Sequence, residues 1–389
     1  MFINFWYPTL LSKDLTDKPQ RVRILSHDLV VFRDSSGKAA VLSDTCVHRG
    51  GSLAGGKVLK DNCIQCPYHG WRFDSDGVCT RIPSIGINGK IPPRARVDAY
   101  PVQEKYGIVF AFLGDLPEHE RAPIMEIEEY GTPGWRAQVV TYDVPINYER
   151  SIENGLDPAH NEFVHPTHGY QGEKETEYKV NDLKPQHTHW GFGFMNVFQA
   201  PPLKNPIMRR VRDFDGDLEA GSGHHGPNHM WTFIHFTPTK WMHQYMFEAP
   251  IDERHIRVFL VNLRNVLQTR FEWLNRWIDK KVTQRNMVIA GQDVVILTRL
   301  KPVLTPPTTA KELLMPADKV IFLYREKLKE WEQKGWRIDT DALNAARIRG
   351  DVEYAIPSPA RRQTKGWVLD PVPLLPPTQS ETATIRAAG

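Results

Sequence analysis

Two short segments constrain this chain more than any others: Cys46-Val47-His48 and, after a gap of 17 residues, Cys66-Pro67-Tyr68-His69. Thiols and imidazoles at such spacing are metal ligands, so the fold has to bring both loops to one place. A single tetrahedral zinc is usually gripped by pairs two to four residues apart, because a loop of that length lets both side chains converge on one ion. One residue separates Cys46 from His48, which is tight for that chelation. All four cysteines (Cys46, Cys63, Cys66, Cys79) lie within 34 residues, and the 310 residues after Cys79 have none. A disulfide scaffold spreads its cysteines, so the clustering favours a metal site in a reducing compartment.

The two loops together resemble the Rieske motif, in which two cysteines bind one iron of a [2Fe–2S] cluster and two histidines bind the other. Each loop then sends one ligand to each iron, and the short Cys46–His48 spacing is no obstacle. Glycines follow both histidines (Gly50, Gly51, Gly70), as expected where backbone N–H groups approach cluster sulfides. Gly55 and Gly56 complete a turn-rich gap suited to a hairpin under each loop. High-potential Rieske proteins carry a further cysteine in each loop, joined as a disulfide. Neither loop has one, so the resemblance is to the oxygenase or ferredoxin type. Cys63-x-x-Cys66 could also be a redox dithiol, but no thioredoxin-like βαβ pattern surrounds it. Cys63 and Cys79 are expected to be buried free thiols.

Around these loops, from Val22 to about Leu113, short β-prone runs alternate with turns such as Ser35-Ser36-Gly37 and Ser75-Asp76-Gly77. The spacing predicts an all-β unit over residues 1–115, with Asp115–Pro133 as an acidic linker. A second domain is expected over 116–350. Its strands are expected at Trp190–Phe198, Trp231–Phe236, Gln244–Ala249 and Ile256–Leu263. Helices are expected from about Thr269 to Leu300 and Ala317 to Lys334. Phe271, Trp273, Leu274, Trp277, Ile278 and Val282 recur near a helical period in the first of these. The Pro-rich tail over 351–389 is expected to be extended or disordered beyond Tyr354. The fold class is therefore α+β, an antiparallel sheet covered by helices following an all-β domain.

The second domain contains Glu153-Asn154-Gly155-Leu156-Asp157-Pro158-Ala159-His160, continuing to His165. Two histidines and carboxylates are the raw material of a 2-His-1-carboxylate triad, which binds Fe(II) on one face and leaves positions open. Five residues apart, the histidines lie about 140° around an ideal helix. They converge only if the helix ends at His165, and Pro166 gives it a reason to. Asp157-Pro158 reads as an N-cap followed by proline at N1. Asp157 could be no more than that cap, and either histidine an ordinary packed one.

The spacing D-x2-H-x4-H behind a Rieske domain resembles the α subunits of ring-hydroxylating oxygenases over roughly residues 5 to 330. Residues such as the opening WYP…SK and YPVQEKYGIVFAFLGD are most similar to the group built from α subunits alone, like carbazole dioxygenase. The resemblance implies a third iron ligand on a downstream helix, and Gln292-Asp293-Val294-Val295-Ile296-Leu297 matches that segment. Asp293 is the candidate, with Asp279 and Asp318 as alternatives. Val288, Ile289, Val294 and Val295 make its neighbourhood apolar, where a lone carboxylate wants a metal or a partner. The resemblance further implies that Asp157 accepts hydrogen bonds from an iron-ligating histidine and from the neighbouring subunit's counterpart of His69. A homotrimer follows, because cluster and iron within one chain lie too far apart. Asn154 matches a pocket residue.

The implied function is that of a terminal oxygenase. It takes O₂ and electrons from a separate ferredoxin or NAD(P)H-dependent reductase, and its substrate is a hydrophobic, aromatic or polycyclic small molecule. Demethylation at O or N and steroid hydroxylation occur on the same scaffold. The chain lacks the G-x-G-x-x-G fingerprint of a dinucleotide site. Phe192–Met195 and Met230–Ile234 could line the substrate pocket or simply be core. A net charge of +3 against 95 charged side chains, without basic blocks, speaks against nucleic acid. No run approaches 18 apolar residues, and the N-terminus does not read as a signal peptide, so a cytoplasmic protein is expected. Two other classes stay open: a Rieske electron carrier without a second iron, and a zinc-stabilised binding module.

Overall fold

A computed structural model of the chain describes residues 1–180, 182–199, 217–306 and 309–378. The N-terminal unit is all β. Strands β1 (Phe5–Leu11), β10 (Val102–Lys105) and β11 (Ile108–Leu113) form one sheet with β11 in the middle. Strands β2 (Gln20–Ile24), β3 (His27–Arg33), β4 (Ala39–Ser43) and β9 (Ala99–Tyr100) form a second. Four short strands, β5 (Lys57–Val58), β6 (Ile64–Gln65), β7 (Arg72–Phe73) and β8 (Cys79–Arg81), form a third; the second Cys/His loop joins β6 to β7, and the first lies between β4 and β5. Strand β11 is buried on both faces, and its side chains divide with period 2. Val109, Ala111 and Leu113 join the main core, while Ile108, Phe110 and Phe112 join a second cluster with Phe247, Phe259 and Val261.

The second unit is a seven-stranded antiparallel sheet built from β12 (Arg136–Val144), β13 (Gln186–Thr188), β14 (Gly191–Gln199), β15 (Asp217–His225), β16 (His229–Thr237), β17 (Lys240–Pro250) and β18 (Ile256–Arg264). Its order is β12-β18-β17-β16-β15-β14-β13, so all but β12 follow as a meander. Helices α1 (Tyr148–Leu156), α2 (His160–Val164), α3 (Glu272–Leu297), α4 (Lys319–Gln333) and α5 (Thr340–Arg349) complete the unit. The α+β architecture expected from the sequence is what the chain adopts. Strands β12 and β15 and helices α1 and α5 had no clear pattern in the sequence. Strand β15 reads DLEAGSGHH, and its glycines serve a neighbour rather than its own propensity. A Cβ on Gly223 or Gly193 would lie 2.5 or 2.2 Å from the Trp231 ring. Trp231 lies in the space the two glycines leave.

Three expectations need correction. Asp115–Pro133 is irregular but packed, with Ile124, Met125 and Ile127 buried in the second cluster; apolar side chains within the acidic stretch anchor it. The stretch after Tyr354 is extended yet built in. Tyr354–Ala355 pairs in parallel with Asp370–Pro371, and Ile356 and Ser358 are fully buried. Arg361 locks it to the N-terminal unit through Asp98 at 2.7 Å, while residues 379–389 lie outside the described residues. The expected helix is α3, but Trp273 and Trp277 on it are exposed, and the neighbourhood of Asp293 is only half as apolar as expected, since Val288 and Val295 are exposed too. Ile289 and Val294 are the neighbours that turn inward.

Candidate iron–sulfur and metal sites

The two Cys/His loops have the same backbone. Cys46 N–H donates to Gly51 O and Cys66 N–H to Trp71 O; Gly50 N–H returns to Cys46 O and Gly70 N–H to Cys66 O. Gly50 and Gly70 take φ of +68° and +73°, the left-handed conformation that glycine enters without cost. Both sulfurs are buried, while His48 and His69 are exposed, with ring centroids 4.4 Å apart. Trp71 stacks on His48 at 4.7 Å and holds its ring. Burial, followed by the neighbouring Cys66, pushes the Cys46 thiol up to about 12, so a thiolate there needs a metal to sustain it. Among the described residues no three of these four groups converge within 4.8 Å as ligands of one ion would. Two sulfurs inside and two imidazoles outside suit a two-iron cluster instead. Cys63 and Cys79 are buried and unbridged.

The one group of three such side chains within 4.8 Å among the described residues is His160, His165 and Asp293. Helix α2 begins at His160 and ends at Val164, and His165 steps into extended backbone before Pro166. That break turns two histidines five apart toward one point. His165 Nε2 lies 3.2 Å and His160 Nε2 3.6 Å from Asp293 Oδ1. The opposite nitrogens are held: His160 Nδ1 by the backbone carbonyl of Asp157 at 2.6 Å, His165 Nδ1 by Gln292 Oε1 at 2.9 Å. Asn154 Nδ2 donates to Asp293 Oδ1 at 3.1 Å. Outer partners of this kind fix tautomer and ring orientation at metal sites. Three donors on one face, each braced from behind, fit a facial triad for Fe(II).

Asp157 caps the end of α1, and its Oδ1 accepts the Ala159 N–H at 2.7 Å. The expected cap bond therefore exists, although the regular helix starts three residues later. The histidine bond runs to the Asp157 carbonyl; the carboxylate stands 3.8 Å from His160 Nδ1. Burial raises the Asp157 carboxyl above its ordinary range, opposed by His160. The alternatives to Asp293 are engaged elsewhere. Asp279 is paired with Arg264 at 2.7 Å and Arg136 at 2.9 Å, and Asp318 accepts the Met315 N–H at 2.7 Å.

Burial lowers His160, while on His165 the Asp293 carboxylate and Gln292 outweigh burial and raise it. Helix α1 is fixed behind the site by a buried ionic ring. Arg325 and Arg150 both bind Glu153, at 2.6 and 3.1 Å, and both bind Glu312, at 2.6 and 2.7 Å.

The triad opens on a cavity of about 540 Å³. Strand alternation decides which of the expected lining residues reach it: Phe194, Met230, Thr232 and Ile234 do. Phe192 is core, Met195 is exposed, and Trp231 and Phe233 pack on the opposite face. Lining residues that the sequence reading did not single out include His168, Glu248 and Arg285. His168 is one turn beyond His165, and burial depresses it to about 4. It was visible as a further histidine in H-P-T-H. Glu248 is fully buried and pushed up to about 8; Arg285 sits two turns before Asp293. Neither carried a signal in the sequence.

Residues 5–100 match the Rieske [2Fe-2S] domain, and residues 144–334 match the vanillate O-demethylase oxygenase C-terminal domain. The chain belongs to the Rieske non-haem iron oxygenases. Within them its C-terminal domain is of the vanillate O-demethylase type, and its cofactors are a [2Fe–2S] cluster and a mononuclear iron. The chain is 39% identical over 176 residues to phenoxybenzoate dioxygenase subunit alpha of Ectopseudomonas oleovorans, covering 42% of this chain and 43% of that one. It is 31% identical over 255 residues to the 5,5'-dehydrodivanillate O-demethylase oxygenase subunit of Sphingobium sp. (strain NBRC 103272 / SYK-6), covering 64% and 55%. The matches thus span about half the length of these curated relatives.

Among solved structures, dicamba monooxygenase bound to 3,6-dichlorosalicylic acid has a TM-score of 0.69 at 21% identity, covering 85% of this chain and 97% of that one. NdmA of Pseudomonas putida CBB5 with caffeine has a TM-score of 0.67 at 23% identity, covering 83% and 89%. These two likenesses speak to the fold. No helix among the described residues is long and apolar enough to cross a membrane.

Proposed function

We propose that the chain is the oxygenase component of a multi-protein system that hydroxylates a hydrophobic aromatic molecule, with electrons from a separate ferredoxin or NAD(P)H-dependent reductase. The observation that carries this reading is the braced triad His160, His165 and Asp293 opening on the cavity. In this reading Cys46, His48, Cys66 and His69 hold the cluster, and the triad holds the iron. The iron supplies O₂ activation; the chain supplies position. Gln292 and the Asp157 carbonyl keep both Nε2 lone pairs turned to the metal, and Asn154 keeps the Asp293 carboxylate in place. Phe194, Ile234 and their neighbours exclude water around the substrate.

Oxidative demethylation is the second reading. It is favoured by the vanillate O-demethylase type of the C-terminal domain and by the dehydrodivanillate O-demethylase relative. A homotrimer is supported by the exposed apolar face of α3, where Trp273 and Trp277 are 69% and 53% exposed and want a cover. In such a ring the exposed His69 would meet the partly exposed Asp157 of a neighbour. A cytoplasmic location agrees with this set of partners.

The test is iron and acid-labile sulfide per chain on anaerobically purified protein, followed by a screen of aromatic acids and aryl methyl ethers for substrate-dependent NAD(P)H consumption. About three irons and two sulfides per chain are expected, from one cluster plus one triad. Two irons that do not rise on adding Fe(II) would leave an electron carrier. Formaldehyde release from an ether distinguishes demethylation from ring hydroxylation.

A further inference from the structure

The sheet face turned away from the cavity carries a second histidine arrangement. His243 on β17 has Nδ1 2.6 Å from Glu129 Oε1, and His235 on β16 has Nδ1 2.7 Å from Glu219 Oε2. Each carboxylate accepts an Nδ1–H, an assignment that leaves both Nε2 atoms as acceptors. Those two Nε2 atoms face each other at 3.2 Å. Two lone pairs at that distance repel, so a cation belongs between them: a proton or a metal ion. Glu129 is well suited to its role. Burial would raise its pKa, but His243 and the Tyr245 hydroxyl, which donates to Oε2 at 3.0 Å, outweigh burial and keep it low.

We propose that His235 and His243 form a divalent-metal site suited to Zn²⁺, separate from the triad, with Glu219 and Glu129 orienting the imidazoles. With Zn–N bonds of about 2.05 Å, nitrogens this far apart subtend about 103° at the metal, close to a tetrahedral bite. A carboxylate behind each ligating imidazole is the usual outer support of such sites. The two carboxylates also bring the negative charge that a dication neutralises. The rings are held before any ion arrives: Phe233 stacks on His243 at 3.8 Å, and Trp241 on His235 at 4.9 Å. His235 is 20% exposed, which leaves a way in and room for water or an external ligand on the two remaining positions. Strand alternation separates this site from the catalytic face, where Ile234, Met242 and Gln244 line the cavity.

The experiment is equilibrium dialysis of the cluster- and iron-loaded protein against micromolar Zn²⁺, counting zinc and iron together by mass spectrometry. About one zinc per chain is expected, from one two-histidine site, with iron unchanged. His235→Gln should abolish the uptake, and Glu219→Gln should weaken it about 10–100-fold. Glu219 is half exposed, so that variant keeps the test decisive if His235→Gln fails to fold. Zinc uptake unchanged by these variants, zinc matched by loss of iron, or no uptake at all would overturn the proposal. In the last case the shared proton becomes the explanation of the pair.

Discussion

Asn154 on α1 donates to Asp293 on α3 across 3.1 Å, joining residues 139 positions apart in the chain. The bond leaves Asp293 Oδ1 3.2 Å from His165 Nε2, so the same amide that steadies the carboxylate also sets the triad's geometry. Asn154→Ala is expected to lower iron affinity about 10–100-fold, as loss of an outer partner does. Asp293→Ala should lose the mononuclear iron entirely. Labile sulfide and the cluster's visible spectrum should be unchanged in both, and iron analysis of dialysed protein checks this.

The ionic ring behind α1 makes a stability prediction. Arg325 is buried between Glu153 and Glu312. Removing Arg325 leaves both carboxylates sharing Arg150 alone, an uncompensated charge whose cost is about 3–5 kcal/mol, as for breaking a buried pair. Arg325→Met should therefore lower the apparent melting temperature by on the order of 10 °C. Because Glu153 lies next to Asn154, iron retention should fall with it, whereas a conservative Arg325→Lys should recover part of both.

At the cluster loops, a Cβ on Gly51 would lie 3.1 Å from Cys66 Sγ and 3.4 Å from Tyr68 Cβ. Cys66 cannot retreat, because it is buried and its N–H is tied to Trp71 O. Gly51→Val is expected to yield protein with most of its labile sulfide missing and its mononuclear iron present. Sulfide and iron assays on the same sample separate the two effects.

Glu248 gives a pH dependence. Its Oε1 accepts from Ser151 Oγ at 2.6 Å, while Oε2 is buried without a partner among the described residues. Burial raises the carboxyl from 4.5 to about 8, so the folded protein binds a proton that the unfolded chain has released. Its stabilising contribution is complete below about pH 4.5 and is lost as pH rises toward 8. Glu248→Gln, neutral at all pH, should gain stability relative to the parent across pH 5–8. A melting-temperature difference that stays flat over that range would show the group already ionised.

Much of the site was legible because covalent spacing determines metal chemistry. Cys46-x-His48 and Cys66-x2-His69 mark the candidate cluster loops before any fold is known. Pro166 predicts the helix break that lets His160 and His165 converge, and α2 does end there. The strands flanking the cavity were legible from their period. The two glycines of β15 hid that strand, because Gly223 answers to Trp231 and Gly221 to Phe194 and Met195 across the sheet rather than to local propensity.

The sequence by itself determined the antiparallel α+β class, and it pointed to the proposed Cys/His and His/Asp donor sets. Only the family resemblance put Asp293 ahead of Asp279 and Asp318. All three are carboxylates in or beside a helix, and only packing shows two of them already satisfied. Nor could it say that Glu248, Arg285 and His168 share the cavity with the triad. These groups come from separate elements, and no local pattern records a distance between elements. That the extended tail is packed was hidden for the same reason. Proline removes backbone donors and favours extended chain, but whether that chain is free or bound depended on Asp98, 263 residues from Arg361. Local chemistry is written in the spacing of residues; which side chains meet is decided when the sheets and helices pack.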